Sequence, residues 1–199
     1  MAYSPSMYAR SLSAAAAVLL LALPAQRPAA FASGPGTCIA EASAITGMGS
    51  RTRNLPGAGP FQVMFDMGGT TYVPGQTYMI SVFATDVSEF NGFLVYGETT
   101  MGMRVGTFDK SDGNIGSPIV TCPDAPEATA SHTSLGPAAT TEIIIPWTAP
   151  ATDVGSIELR SIVLSGTRGS RGDQEFFFPA VLTLTAGPPD LVFGDGFEL

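Results

Sequence analysis

The sequence predicts an all-β fold, a sandwich or a barrel, formed by a single domain. After the N-terminal region, short β-rich runs alternate with turn signals at intervals of roughly 8 to 15 residues, as in such folds. Helical periodicity is nearly absent. The 199 residues are 45% hydrophobic and 13% charged, a balance typical of a globular chain and far from that of a disordered one.

Six runs are predicted as strands because they are rich in β-branched and aromatic residues and are bounded by turn residues. They are Phe61 to Asp66, Thr77 to Thr85, Gly92 to Glu98, Thr141 to Trp147, Ser156 to Leu164 and Phe176 to Leu184. Weaker candidates are Val105 to Phe108 and Pro118 to Cys122.

Alternation and turn chemistry support these strands. Tyr78, Ile80 and Val82 share one face of their strand, and the run from Ile157 to Ile162 alternates apolar with polar residues, so both are expected to be half-buried antiparallel strands. Between the strands, the dipeptides Pro74-Gly75, Asn91-Gly92 and Asp112-Gly113 are typical turn sequences.

The first 32 residues are predicted to be a secretory signal peptide. Arg10 supplies the basic region, and the apolar run from Ser11 to Leu23 is too short to span a bilayer. Small residues at Ala30 and Ala32 predict cleavage before Ser33. Residues 33–186 then form the domain, and residues 187–199 form a linker and an acidic, aromatic tail.

Export changes the charge and the redox setting of the chain. Residues 33–199 keep seven basic residues against all 17 acidic ones, a net charge of −10, which disfavours nucleic acid and other polyanions as partners. Binding of a polyanion would require arginines concentrated on one face. The candidates are Arg51, Arg53, Arg104, Arg160, Arg168 and Arg171. No second long apolar run predicts a membrane anchor.

The two cysteines, Cys38 and Cys122, both lie in the exported part. An oxidising compartment favours their pairing, so one disulfide is expected, with two free thiols as the alternative.

Several segments in sequence order resemble the reeler (reelin-type) domain, an extracellular module. They are Cys38, Tyr72 to Tyr78, Phe90 to Val95, Gly106 to Phe108, Cys122, Ser131 to Thr133, Ile145 to Pro150, Gly155 to Leu159 and Phe176 to Phe178. The resemblance implies an immunoglobulin-like antiparallel β-sandwich with a Cys38–Cys122 bridge. It also implies that His132 belongs to the scaffold.

The chain departs from the family in two ways. The additional cysteine pair of the spondin-type members is missing, so a second bridge is not expected. The glycosaminoglycan binding credited to some members needs basic patches, and this acidic chain is not expected to share it. The tail from Asp190 to Glu198 resembles an ending of exported bacterial proteins, which implies a stand-alone bacterial member; a frayed acidic terminus is the alternative.

No catalytic or cofactor constellation is predicted. His132 is the single histidine, and the chain has no Gly-x-Ser-x-Gly motif to place a nucleophile beside it. One histidine and two bridged cysteines are too few ligands for zinc or haem. The sequence therefore predicts neither an enzyme nor a bound cofactor.

Two loops are candidates for interaction. The segment from Asp109 to Asn114 places oxygen donors at alternate positions, but position twelve of a calcium loop would be Val120, so a plain Asp112-Gly113 turn is preferred. Arg171, Gly172 and Asp173 form the integrin-recognition tripeptide in a glycine-rich loop, although so short a motif recurs by chance.

The large aromatic residues are expected to form the core rather than a ligand pocket; they are Tyr72, Tyr78, Phe93, Trp147 and the run Phe176 to Phe178. Neighbours in a strand alternate faces, so Phe177 or the pair Phe176 and Phe178 needs a second cover. The tail, with Phe193 and Phe197, or a partner are the two candidates.

The sequence thus favours a secreted, non-enzymatic binding or adhesion module for a surface, matrix or envelope component. The expected location is extracellular, or periplasmic or outer-surface in a bacterium. An accessory domain for a redox or other enzyme partner and a purely structural envelope protein are the alternatives. The ligand and the oligomeric state are not predicted.

Overall fold

The computed structural model describes residues 37–44, 53–54, 57, 59–113, 115–116, 122, 126–133, 139–166 and 175–188. Their regular structure is β apart from two single-turn 3-10 helices, Ala42–Ala44 and Asp66–Gly68. The strands are β1 (Arg53–Asn54), β2 (Phe61–Phe65), β3 (Thr71–Tyr72), β4 (Thr77–Ala84), β5 (Phe90–Thr99), β6 (Arg104–Val105), β7 (Thr107–Phe108), β8 (Ile115–Gly116), β9 (Thr129–His132), β10 (Glu142–Thr148), β11 (Ile157–Ser165), β12 (Glu175–Phe177) and β13 (Leu182–Ala186). The predicted signal peptide, the Arg171-Gly172-Asp173 tripeptide and the tail from Asp190 lie outside the described residues.

The smaller sheet has four antiparallel strands in the order β2-β4-β10-β7. Its register pairs Val63 with Val82 and Val82 with Ile143, which places these apolar side chains on one face. Three of the predicted strands, in residues 61–66, 77–85 and 141–147, are confirmed here to within two residues at each end.

The larger sheet runs β1-β12-β11-β5-β9-β8, with β6 beside β5, β13 beside β11 and β3 beside β13. The long central pair β5 and β11 is antiparallel. Two pairs of short strands at the margin are parallel, β1 with β12 and β3 with β13. The predicted strands in residues 92–98 and 156–164 form the centre of this sheet.

The main hydrophobic core fills the space between the sheets. Its largest fully buried side chains include Phe61, Phe65, Tyr72, Phe93, Phe108, Ile145 and Trp147. The aromatic residues singled out in the sequence are therefore core residues, fully buried at Tyr72, Phe93, Trp147 and Phe176 and partly buried at Tyr78 and Phe177. The predicted sandwich with one disulfide is confirmed.

A second hydrophobic cluster lies on the other face of the larger sheet. It consists of Leu94, Tyr96, Ile162, Leu164 and Phe176, with Ala40 and Phe178 packed against it. The three phenylalanines alternate as expected, because Phe177 packs against the main core and its two neighbours pack against this cluster. Ala40, from the segment before β1, supplies part of the second cover.

Two predicted strands are divided in the structure. Residues 176–184 form β12 and β13, which pair with opposite ends of β11, and Pro179 lies between them. Proline lacks the N–H that a continuous strand would donate. Residues 105–108 divide at Gly106, where a positive φ of 78° takes the chain from β6 in one sheet to β7 in the other. Of the candidate strand from Pro118 to Cys122, only Cys122 is described, and it is not in a strand.

Candidate functional site

The Cys38–Cys122 disulfide fastens the segment Thr37–Ala44 to the larger sheet. The two Cα atoms are 5.3 Å apart across a sequence separation of 84 residues. The predicted pairing is therefore confirmed.

Polar contacts hold the same segment over the second cluster. The Ala40 N–H donates to the Tyr96 hydroxyl at 2.9 Å, and the Arg104 guanidinium donates to the Cys38 carbonyl at 2.5 Å. The Arg104 guanidinium carbon also lies 3.0 Å from the Tyr96 ring centroid, in cation–π geometry. Burial raises the pKa of Tyr96 above its ordinary value and lowers that of Arg104, because both charged forms lose solvation there.

Two of the six candidate arginines for a basic patch belong to an ion-pair network on this face. Arg160 lies 2.7 Å from both Glu98 and Glu158 and 3.5 Å from Glu41. Arg104 lies 3.9 Å from Glu98. Three carboxylates for two guanidinium groups leave no positive excess here, so these two arginines do not form a polyanion site.

The sole histidine joins two strands of the larger sheet. His132 is 3% exposed, and its Nδ1 accepts a hydrogen bond from the Phe93 N–H at 3.0 Å. The neighbouring Ser131 hydroxyl donates to the Phe93 carbonyl at 2.8 Å. Both side chains therefore support the pairing of β9 with β5, and the Ser131 hydroxyl is directed at the backbone rather than at a cleft.

The candidate loop from Asp109 is an ordered turn with exposed carboxylates. The Asp109 carboxylate accepts the Ser111 N–H at 2.9 Å, which holds the pKa of Asp109 below its ordinary value. The Ile115 N–H donates to the Asp112 carbonyl, and the Thr133 hydroxyl donates to the Gly113 carbonyl, each at 2.9 Å. Asp109 and Asp112 are both exposed. The described part of this loop is thus the turn that the Asp-Gly pair predicts.

Within the described residues, no group of three or more His, Cys, Asp or Glu side chains is placed to hold a metal ion. In the same part of the chain, no helix is long and apolar enough to cross a membrane.

A surface that the sequence did not predict lies on the outward side of the smaller sheet. The register places Met64, Ser81 and Ile144 in one row, with Met79 and Pro146 on one side and Phe83 on the other. We call these six residues the outer face. Met79 is 50% exposed and Ile144 is 52% exposed, and none of the six is charged. The register also places exposed Gln62 and Glu142 beside Phe83, so this apolar surface is bounded by polar side chains at that end. One feature of the sequence could have predicted this outer face. The run from Ile143 to Trp147 is apolar at every position, so its strand has apolar side chains on both faces.

Comparison with known proteins assigns the family. The Reeler domain model matches residues 43–168, and the chain therefore belongs to the Reeler domain family. A solved human F-spondin reeler domain is similar at 18% identity and a TM-score of 0.51, covering 70% of this chain and 97% of that one. A Reelin-N domain structure of F-spondin gives 22% identity and a TM-score of 0.51, covering 71% and 94%. No curated protein sequence matches the chain.

Proposed function

We propose that this Reeler domain protein is a secreted, non-enzymatic binding module that recognises a surface, matrix or envelope component through exposed loops of the sandwich. The observation that carries the proposal is the exposed Asp109–Gly113 turn, which is ordered by its own hydrogen bonds before any partner arrives. An ordered loop on a rigid scaffold loses little conformational entropy on binding.

The scaffold beneath the loop is rigid for reasons visible in the contacts. The strand after this turn, β8, pairs with β9, and β9 is bound to β5 through Ser131 and His132. On the other side, Lys110 donates to the Pro126 carbonyl and lies 3.5 Å from the Glu127 carboxylate. These contacts attach both ends of the loop that carries the two aspartates to the strands and to residues 126–127.

The charge of the loop indicates the chemistry of the partner. Asp109 and Asp112 lie beside the Lys110–Glu127 ion pair, in a chain whose residues 33–199 carry a net charge of −10. Such a surface attracts cationic or neutral polar groups and repels sulfated or phosphorylated polymers. An amino-sugar polymer or a basic protein segment fits better than heparin.

The test is a binding array of glycans, lipopolysaccharides and basic proteins, followed by measurement of the affinity of any hit. We expect Asp109→Asn with Asp112→Asn to weaken binding at least about tenfold, because each asparagine keeps the turn but loses the charge. The matched control is Glu89→Gln with Glu142→Gln, which removes two exposed charges elsewhere.

Equal effects of the two double variants would show that net charge, and not this loop, determines binding. Turnover of any substrate by the purified protein in a hydrolase or redox screen would contradict the non-enzymatic proposal. A haem absorption band would instead favour the accessory redox role.

A further inference from the structure

The edge strand β2 differs from the other edges of the sandwich. The end strands β1, β7 and β8 have two residues each, whereas β2 has five and pairs on one side only among the described residues. In the same part of the chain, β10 is also without a ladder partner on one side ahead of Trp147, but that stretch contains Glu142 and Pro146. Proteins ordinarily protect an exposed edge with short strands, charged residues, proline or a bulge. Residues 61–65 contain no charge and no proline, and their pairing with β4 is continuous.

The hydrogen-bonding direction of each β2 residue follows from the register. The Thr85 N–H donates to the Pro60 carbonyl at 2.7 Å, so Pro60 and Thr85 form a hydrogen-bonded pair. In an antiparallel ladder such pairs alternate, so Gln62 and Met64 direct their backbone groups toward β4. The N–H and C=O groups of Phe61, Val63 and Phe65 are therefore directed away from the sheet.

These outward groups are symmetric about Val63. We propose that β2 pairs with β2 of a second copy of this chain, antiparallel and centred on Val63, to give a two-fold dimer with one continuous eight-stranded sheet. In this register Val63 faces Val63 of the other copy and Phe61 faces Phe65, so each outward N–H meets an outward C=O. The interface is self-complementary, as a two-fold contact requires.

The side chains along β2 are compatible with a second copy of the chain at this edge. Phe61, Val63 and Phe65 are directed into the core of their own sandwich, so the seam is formed by backbone and by Gln62 and Met64. No charged residue lies between positions 57 and 65, so two acidic molecules meet here without facing like charges. Met64 lies both on the outer face and at the seam, so the outer faces of the two copies become neighbours in the dimer.

The test uses charge pairs across the predicted seam. Gln62 would lie opposite Met64 of the other copy in a non-hydrogen-bonded pair, where side chains are closest. Gln62→Lys with Met64→Lys therefore places like charges opposite each other. Gln62→Glu with Met64→Lys places opposite charges there and is the matched control, with the same two positions changed.

Sedimentation equilibrium over a wide concentration range gives the dimer fraction, and thermal melts check that both variants fold. We expect the parent protein to show a monomer–dimer equilibrium, the lysine pair to be monomeric, and the Glu-Lys pair to dimerise at least as tightly as the parent at low salt. A parent that stays monomeric, or a lysine pair that dimerises like the parent, overturns the proposal. A dimer that appears only after deletion of residues 189–199 also overturns it, because the tail would then be the occupant of the edge.

Discussion

Reducing the Cys38–Cys122 disulfide should lower the stability of the domain strongly. The bridge closes a loop across 84 residues of sequence. In the chain-entropy model, cross-linking a loop of that length stabilises the fold by about 4.6 kcal/mol at 25 °C. For a domain of this size, about 1 kcal/mol corresponds to about 2–4 °C in melting temperature, so reduction should lower it by about 9–18 °C.

Reduction should also weaken the packing of the segment Thr37–Ala44 over the second cluster, in addition to its effect on the entropy of the unfolded chain. Without the bridge, Thr37–Ala44 is held over the second cluster by the Tyr96 and Arg104 hydrogen bonds and by the Arg160–Glu41 ion pair. Exposed ion pairs contribute little, and a single hydrogen bond contributes about 1 kcal/mol. We therefore expect the segment to detach transiently and to uncover Leu94, Ile162 and Phe176.

The assay is a thermal melt with and without dithiothreitol, with thiol titration to prove reduction and a hydrophobic dye to report exposure of the second cluster. The Cys38→Ser, Cys122→Ser variant should melt like the reduced protein. If fully reduced protein melts within about 2 °C of the oxidised form, the bridge does not restrain the unfolded chain as the entropy model requires, and the reasoning is refuted.

Two further predictions concern the core and the response to pH. Gly106→Ala should destabilise the domain by at least about 2 kcal/mol in urea unfolding, because a Cβ there would lie 2.2 Å from the Trp147 indole nitrogen. Gly102→Ala, at the same φ of 78° with nothing within 4 Å, is the control and should cost less; equal losses would contradict the packing argument. Burial raises the pKa of Tyr96 in the folded state, so its contribution to the free energy of unfolding is full below the ordinary tyrosine pKa of about 10 and is lost as pH rises through the higher folded value. Tyr96→Phe should flatten this alkaline decline; an unchanged slope would exclude Tyr96 as its source.

The sequence was sufficient for the strands that show alternation. Tyr78, Ile80 and Val82 lie on the core side of β4, as the period of two predicts. β9 was missed, although all four of its residues are buried. Thr129, Ala130, Ser131 and His132 are small or polar, so they give no apolar signal, and their burial comes from their place beside β5.

The sequence predicted only those parts of the candidate site that depend on residues adjacent in the chain. The Asp112-Gly113 pair predicted a turn, and the described part of that loop contains one. The Asn91-Gly92 pair, equally typical of a turn, lies instead inside β5, because pairing with β11 outweighs the local preference. The outer face depends instead on which strands become neighbours. Met79 and Ile144 look unremarkable in separate strands and form a surface only because β4 and β10 pair in one register.

The two sheets differ in how their outward apolar faces are covered. Each has apolar side chains on both faces, and only one face of each can be covered by the opposite sheet. The larger sheet covers its second face with a segment of its own chain, fastened by a disulfide that an oxidising compartment maintains. For the smaller sheet, the described residues provide no such segment, and its edge strand β2 has neither the charge nor the shortness that would keep other strands away. The larger sheet therefore has its second apolar face covered by a disulfide-linked segment, whereas the smaller sheet ends in an uncharged edge strand that is unpaired on one side among the described residues, which suits it to the β2–β2 pairing proposed above.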